Sequence, residues 1–187
     1  MKRSIIMLLA LLLLGTNVFA SGGKTAFVDT QAVFDKTKLG KKYQGIIREY
    51  YESRKKILDM DAEDIQKMQE EYRKQVQAQA LNEKARKEKE ETLSKKMNEF
   101  DKKRSEYSAE IDKKRDELSS DFNQVMKTVM KDIAKKEKAS MIMNKSIDIL
   151  GKTEVPSILY ADEDLDLTDR VITEMDKRQD SKEKESK

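Results

Sequence analysis

The chain contains no histidine and no cysteine. This removes most nucleophile–base pairs and most transition-metal sites. Carboxylates abound, but they sit among lysines and arginines in stretches that read as solvated helix faces with i,i+4 partners. Glycines are too scattered for a phosphate loop: Gly22 and Gly23 are adjacent, and no Gly-Lys-Ser/Thr motif follows a strand. Asn144-Lys145-Ser146 matches a glycosylation sequon and is read as chance. The residues therefore point to no enzyme, no cofactor and no metal, and the chemistry left is non-covalent contact.

Two groups of residues can make such contact. The first is aromatic and methionine side chains on a long helical stretch: Tyr50, Tyr51, Met60, Met68, Tyr72, Met97, Phe100 and Tyr107. Flexible Met and amphipathic Tyr adapt to varied partners, although some of these residues also fall in the stripe that joins the helices. The second is a basic group, Lys84, Arg86, Lys87, Lys89, Lys95 and Lys96. Between Glu83 and Arg104 there are nine basic and six acidic residues, whereas Ala161 to Lys187 holds ten acidic and six basic. A positive middle suits acidic partners or peripheral contact with an anionic membrane surface. The formal net charge is only +3, with Lys2 and Arg3 supplying part of it, so composition gives no support for nucleic-acid binding.

The elements that carry these residues follow from composition. Charged residues make up 40% of the chain and aromatics 6%, with one proline, a profile of long helices and not of a compact globule. Residues 1–20 read as a cleaved secretory signal peptide: basic Lys2 and Arg3, an apolar run from Ile5 to Leu14, and Val18-Phe19-Ala20 before the cut. That run is too short for a membrane anchor, which takes about 20 apolar residues. The mature chain is expected to be exported and free of disulfides.

From Lys41 onwards almost nothing interrupts a helix. A heptad stripe runs Tyr43, Ile47, Tyr50, Arg54, Ile57, Asp61, slips by one residue, and continues as Ile65, Met68, Tyr72, Val76. A second runs Leu93, Met97, Phe100, Arg104, Tyr107, Ile111, Lys114, Leu118. The stripe is lost between them, and Asn82 followed by Glu83 is a good helix start. This places the turn of an antiparallel hairpin near residues 79–83, within an arm of residues 41–121. One continuous helix in a parallel coiled coil is the alternative. Charged seam positions make such an arm thin, with Arg and Lys stems covering apolar surface.

The flanks read as a small α+β body, residues 21–40 and 122–178. Strands are expected at about 25–28, 140–144 and 158–161, with Ile147 to Gly151 as a connection and Val155-Pro156-Ser157 as a turn or edge entry. Asp29 or Thr30 caps a short helix that Gly40 ends, and Asp166 or Thr168 caps a last helix. After Leu118 the stripe widens, so Met126 and Met130, with strand residues Met141 and Met143, are assigned to the core. Residues 179–187 are expected to be a disordered tail. About seventy residues without a disulfide make a marginal core, so the chain is expected to be an obligate oligomer. Candidate residues of the oligomerising body are Phe27, Val28, Phe34, Ile142, Leu159, Val171 and Ile172. The fold class is thus mostly α with a small β body, a long helical hairpin being inserted into it.

This order of elements carries a resemblance. An Ala-Phe-Val-Asp strand and short Phe-containing helix (Ala26 to Phe34) precede a charged helical stretch turning at Leu81 to Arg86. Met141 to Asn144, Ile158 to Ala161 and the Asp166 to Ile172 ending follow. Together with the signal peptide, the pattern resembles the Skp/OmpH family of periplasmic chaperones over nearly the whole mature chain. The resemblance favours the hairpin and implies a jellyfish-like homotrimer with three arms around a cavity. It also implies an ATP-independent holdase for unfolded outer-membrane β-barrel proteins in the periplasm. The acidic C-terminal region and charged tail depart from the family pattern, and no motif marks a lipopolysaccharide site. An exported structural coiled-coil spacer or envelope scaffold is the rival reading; it requires parallel heptads through residues 41–138, a rod of roughly 150 Å.

Overall fold

The computed structural model describes residues 23–149 and 153–185. The signal-peptide assignment, along with residues 150–152, 186 and 187, lies outside them. Strand β1 (Lys24–Val28) leads into helix α1 (Thr30–Lys36). Helices α2 (Lys38–Gln77) and α3 (Glu83–Lys136) form the antiparallel hairpin. Strands β2 (Ala139–Asn144), β3 (Ser146–Ile149) and β4 (Thr153–Pro156) follow, then helix α4 (Thr168–Glu185).

Local chemistry explains each junction. Asp29 starts α1, its Oδ1 accepting from the Ala32 N–H at 2.8 Å. Thr37, fully buried, ends α1 and starts α2, its hydroxyl accepting from the Gly40 N–H at 3.2 Å. Gly40 therefore does not end the short helix. It lies in the first turn of α2, where a Cβ would stand 1.8 Å from the Phe34 carbonyl oxygen. The α1 backbone occupies the space that a side chain would need, so the arm helix begins at Lys38 instead of residue 41.

At the far end, α2 closes with the Ala80 N–H donating to Gln75 O and the Gln79 N–H donating to Val76 O. Gln79 adopts a left-handed φ of 52°, where glycine is the usual choice. Asn82 then starts α3 by accepting the Ala85 N–H at 2.8 Å. With 40 and 54 residues, the two helices are about 60 and 80 Å long. The excess of α3 enters the body.

The body is built on β1. It pairs in parallel with β2, from Lys24↔Ala139 to Val28↔Asn144, so the whole hairpin is the crossover between two adjacent strands. On the other edge of β1, Phe27 bridges Asp166, and Phe27 O accepts the Leu167 N–H. Buried side chains from every layer meet here: Ala26 and Val28 from β1, Val33 from α1, Phe122, Met126, Val129 and Ile133 from α3, and Leu167, Val171 and Met175 from α4 and its approach. Phe34 and Phe122 stack edge to face with centroids 5.0 Å apart.

Three sequence assignments are corrected in this region. Ile158 to Ala161 is not a strand; the residues lie in an irregular connection before a 3-10 turn at Glu163–Leu165. The strands are instead β3 and β4, an antiparallel hairpin spanning Ser146↔Pro156 to Ile149↔Thr153, in place of the expected connection; of the two readings of Val155-Pro156-Ser157, edge strand and turn, the strand holds through Pro156. Pro156 is tolerated because it ends the strand. Finally, the stretch expected as a disordered tail is helical through Glu185. Its charges pair with the body: Lys38 with Asp180 at 2.6 Å, while nearer the helix start Arg178 binds Asp132 at 2.8 Å. No described helix is long and apolar enough to cross a membrane.

Candidate interaction surface

A two-helix arm has only one neighbour per helix, so it cannot enclose side chains. Between Lys41 and Asp121 no residue is fully buried. The seam is held instead by polar pairs spaced from root to tip. At the root the Tyr43 hydroxyl donates to Asp121. Further out, the Arg54 guanidinium lies 3.6 Å from the Tyr50 ring centroid and 5.9 Å from that of Tyr107, and binds Glu110 at 3.3 Å. Next comes Lys103 with Asp61 at 2.5 Å. Near the tip the Tyr72 hydroxyl donates to Glu90, and Arg86 donates to both Tyr72 and Glu90.

These pairs shift ionisation in consistent directions. Burial, then the bond to Asp121, pushes Tyr43 up to about 12. The Tyr72 bond first, and that from Arg86 second, hold Glu90 below the usual carboxylate range. The Asp61 carboxylate raises Lys103.

The seam departs from the strict heptad in three places, one being Met97, which is exposed. Ile57 is 40% exposed while Leu58 is half-buried, so the one-residue slip falls directly after Arg54. On α3 the seam residue is Lys103; Arg104 points to solvent and pairs with Asp101 on its own helix. A lysine one position earlier reaches Asp61 across the interface, which the periodic template cannot distinguish.

The eight arm residues singled out for contact divide accordingly. Tyr50, Met68, Tyr72, Phe100 and Tyr107 are half-buried across the hairpin. Met68 and Phe100 share a cleft of about 280 Å³. Tyr51 (51%), Met60 (59%) and Met97 (44%) are exposed, joined by Ile57; the heptad assigns both Met97 and Ile57 to the seam. Of the basic group, all six residues are exposed or half-exposed; Lys84 and Arg86 pair with Glu88 and Glu90 one turn on.

At the root, a groove of about 610 Å³ opens between α1, α2 and α3, floored by Phe34, Ile47, Ile111, Leu118 and Phe122 with Tyr51 at its edge. Sequence does not announce it, since its residues come from three helices. The widening of the stripe around Leu118 is the available signal.

The body residues also divide. Val28 and Val171 are fully buried within one chain, Phe27 is nearly so, and Phe34, Ile142 and Ile172 are partly buried against the core. Leu159 is 95% exposed and Tyr160 85%. Met126 is core and Met130 packs against it, but Met141 and Met143 are exposed, against their assignment to the core. Past the register shift that skips Ser140, Met141 and Met143 face away from the core and Ile142 takes the inward side.

The comparisons with known proteins agree with this architecture. No curated protein matches the chain. Its fold is similar to that of a candidate outer membrane chaperone (OmpH-like) from Caulobacter crescentus CB15, with a TM-score of 0.72 at 15% identity over 88% of this chain and 89% of that one. The family model described as "Outer membrane protein (OmpH-like)" matches residues 24–175, which run from the first residue of β1 to the last core residue of α4. A match that spans the body, the inserted hairpin and the closing helix covers every structural part, and by it the chain belongs to the OmpH-like family.

Proposed function

We propose that the protein is an ATP-independent holdase chaperone of the periplasm that binds unfolded outer-membrane β-barrel proteins and prevents their aggregation. The observation that carries this reading is the scattered set of exposed apolar side chains, Tyr51, Ile57, Met60 and Met97, on a highly charged arm. Contacts of this kind are individually weak and dictate no client sequence, so many clients bind and each can leave. The signal-peptide pattern read in residues 1–20 supports export, and the likeness to a candidate outer membrane chaperone supports the role. No nucleotide is required, because release follows from the client folding in the membrane.

The working unit in this reading is a homotrimer whose arms enclose the client. Its support is the exposed Met141, Met143, Leu159 and Tyr160 of the body, apolar surface that a small domain does not usually leave in water. The exposed lysines near the tip turn the arms towards acidic clients or an anionic membrane surface. The rival spacer reading lacks support in an antiparallel hairpin, whose helices cannot form the parallel rod that it needs.

The test is aggregation of a urea-unfolded outer-membrane β-barrel protein diluted into buffer, followed by light scattering. The purified protein is expected to suppress scattering without ATP. Undiminished scattering at excess protein would overturn the proposal.

A further inference from the structure

The root groove has a composition unlike that of the rest of the arm. Its floor is aromatic and aliphatic, and among the described residues the charged ones lining it are Arg48 and Arg115. Arg48 is exposed and has no carboxylate within ion-pair distance among the described residues. Arg115 shares a 3.1 Å contact with Asp112 that is open to water on both sides, a pairing worth little. At about 610 Å³ the space is within the range of ligand pockets, and large enough for one bulky side chain with its neighbours. Along the outer arm, by contrast, cationic and anionic residues are interspersed, and the cleft that Met68 and Phe100 share is lined by charges of both signs as well, among them Asp61, Glu71, Lys96 and Lys103.

We propose that this groove is an anchor site for an unstructured polypeptide segment that presents a large apolar side chain next to a carboxylate. The aromatic floor takes the side chain, and Arg48 and Arg115 meet the charge. The exposed Tyr51 at the edge closes over the inserted group, which gives this residue a defined place, not merely one more point of weak contact. The proposal rests on the chaperone reading and deepens it: clients are held by one oriented anchor at the arm root and by diffuse contacts beyond it.

The absence of tryptophan and cysteine makes the test clean. The probes are two short Gly/Ser peptides, one with Trp between aspartates and one with Trp between lysines, and their fluorescence is free of background from the protein. Each peptide is titrated with the full chain. The acidic peptide is expected to bind about fivefold or more tighter, as two exposed charge contacts would give. Arg48→Glu is expected to abolish that preference. Independently, a photo-crosslinker on Ser119→Cys, an exposed groove position, is expected to capture the acidic peptide. Equal affinity for the two peptides, or capture of a second copy of the chain in place of the peptide, would overturn the anchor site. If the same preparation suppresses client aggregation while the peptides fail, the anchor falls and the chaperone reading stands; failure of suppression counts against the chaperone reading alone.

Discussion

Arg54 sits where a coiled coil would place leucine. Its guanidinium stacks on Tyr50, approaches Tyr107 and binds Glu110, so the charge is met on several sides while remaining in reach of water. The same logic holds for Asp61 with Lys103 and for Tyr72 with Glu90. The presence of charge in the seam is legible in the sequence at Arg54 and Asp61. Its partner on α3 is not, because Lys103 and Arg104 differ by one position and only the cross-helix distance selects between them. Tyr43 offers a test at this scale. Its folded-state pKa lies near 12, above the ordinary 10.0. The stabilisation from the protonated hydroxyl is therefore complete below pH 10, and it is lost as the pH rises through the folded value. Alkaline unfolding of the wild type and of Tyr43→Phe, followed by circular dichroism, is expected to diverge below pH 10 and converge near pH 12. Parallel curves at all pH values would show that neither burial nor the Asp121 bond raises the pKa of this hydroxyl.

Among the elements, the helices are the readable part. Their composition and lost stripe announce two long helices, and Asn82 marks where the second begins. The turn itself carries no glycine: Gln79 takes the left-handed position, so its usual signal is missing. The strands are harder. Met141 to Asn144 reads as a strand and is one, whereas Ile158 to Ala161 is at least as apolar and remains irregular, with Leu159 and Tyr160 exposed in the single chain. Helix α4 outruns its apolar stripe, and Asp180 on its polar end meets Lys38 at the arm root. Two glycines of α2 make the element scale testable with opposite signs. Gly40→Ala is expected to destabilise by about 1–3 kcal/mol, since its Cβ meets the rigid Phe34 carbonyl and not a movable side chain. A methyl group on Gly45 would meet nothing within 4 Å, so Gly45→Ala is expected to stabilise by about 1 kcal/mol through helix propensity. Thermal melts of both variants decide it, and a loss at Gly45 would place an unseen neighbour against that face.

For the whole molecule, the balance of core against surface sets the terms. The enclosed core holds about a dozen apolar side chains, which must order a body and steady two long arm helices. Meanwhile Leu159, Tyr160, Met141 and Met143 remain in water on that same body. Their burial between chains would supply what the single chain lacks, and it would also explain why Ile158 to Ala161 has strand-like composition without a strand partner. If that is the source of stability, assembly and folding are one event. Serial dilution should then lower the melting temperature, with loss of mass in light scattering and loss of helicity appearing together. Leu159→Asp, which replaces a side chain 95% exposed in the single chain, should have the same effect at a fixed concentration. A folded monomer that keeps its melting temperature on dilution would sink the idea, and with it the enclosing trimer, while leaving a single-arm holdase as the form of the chaperone to test.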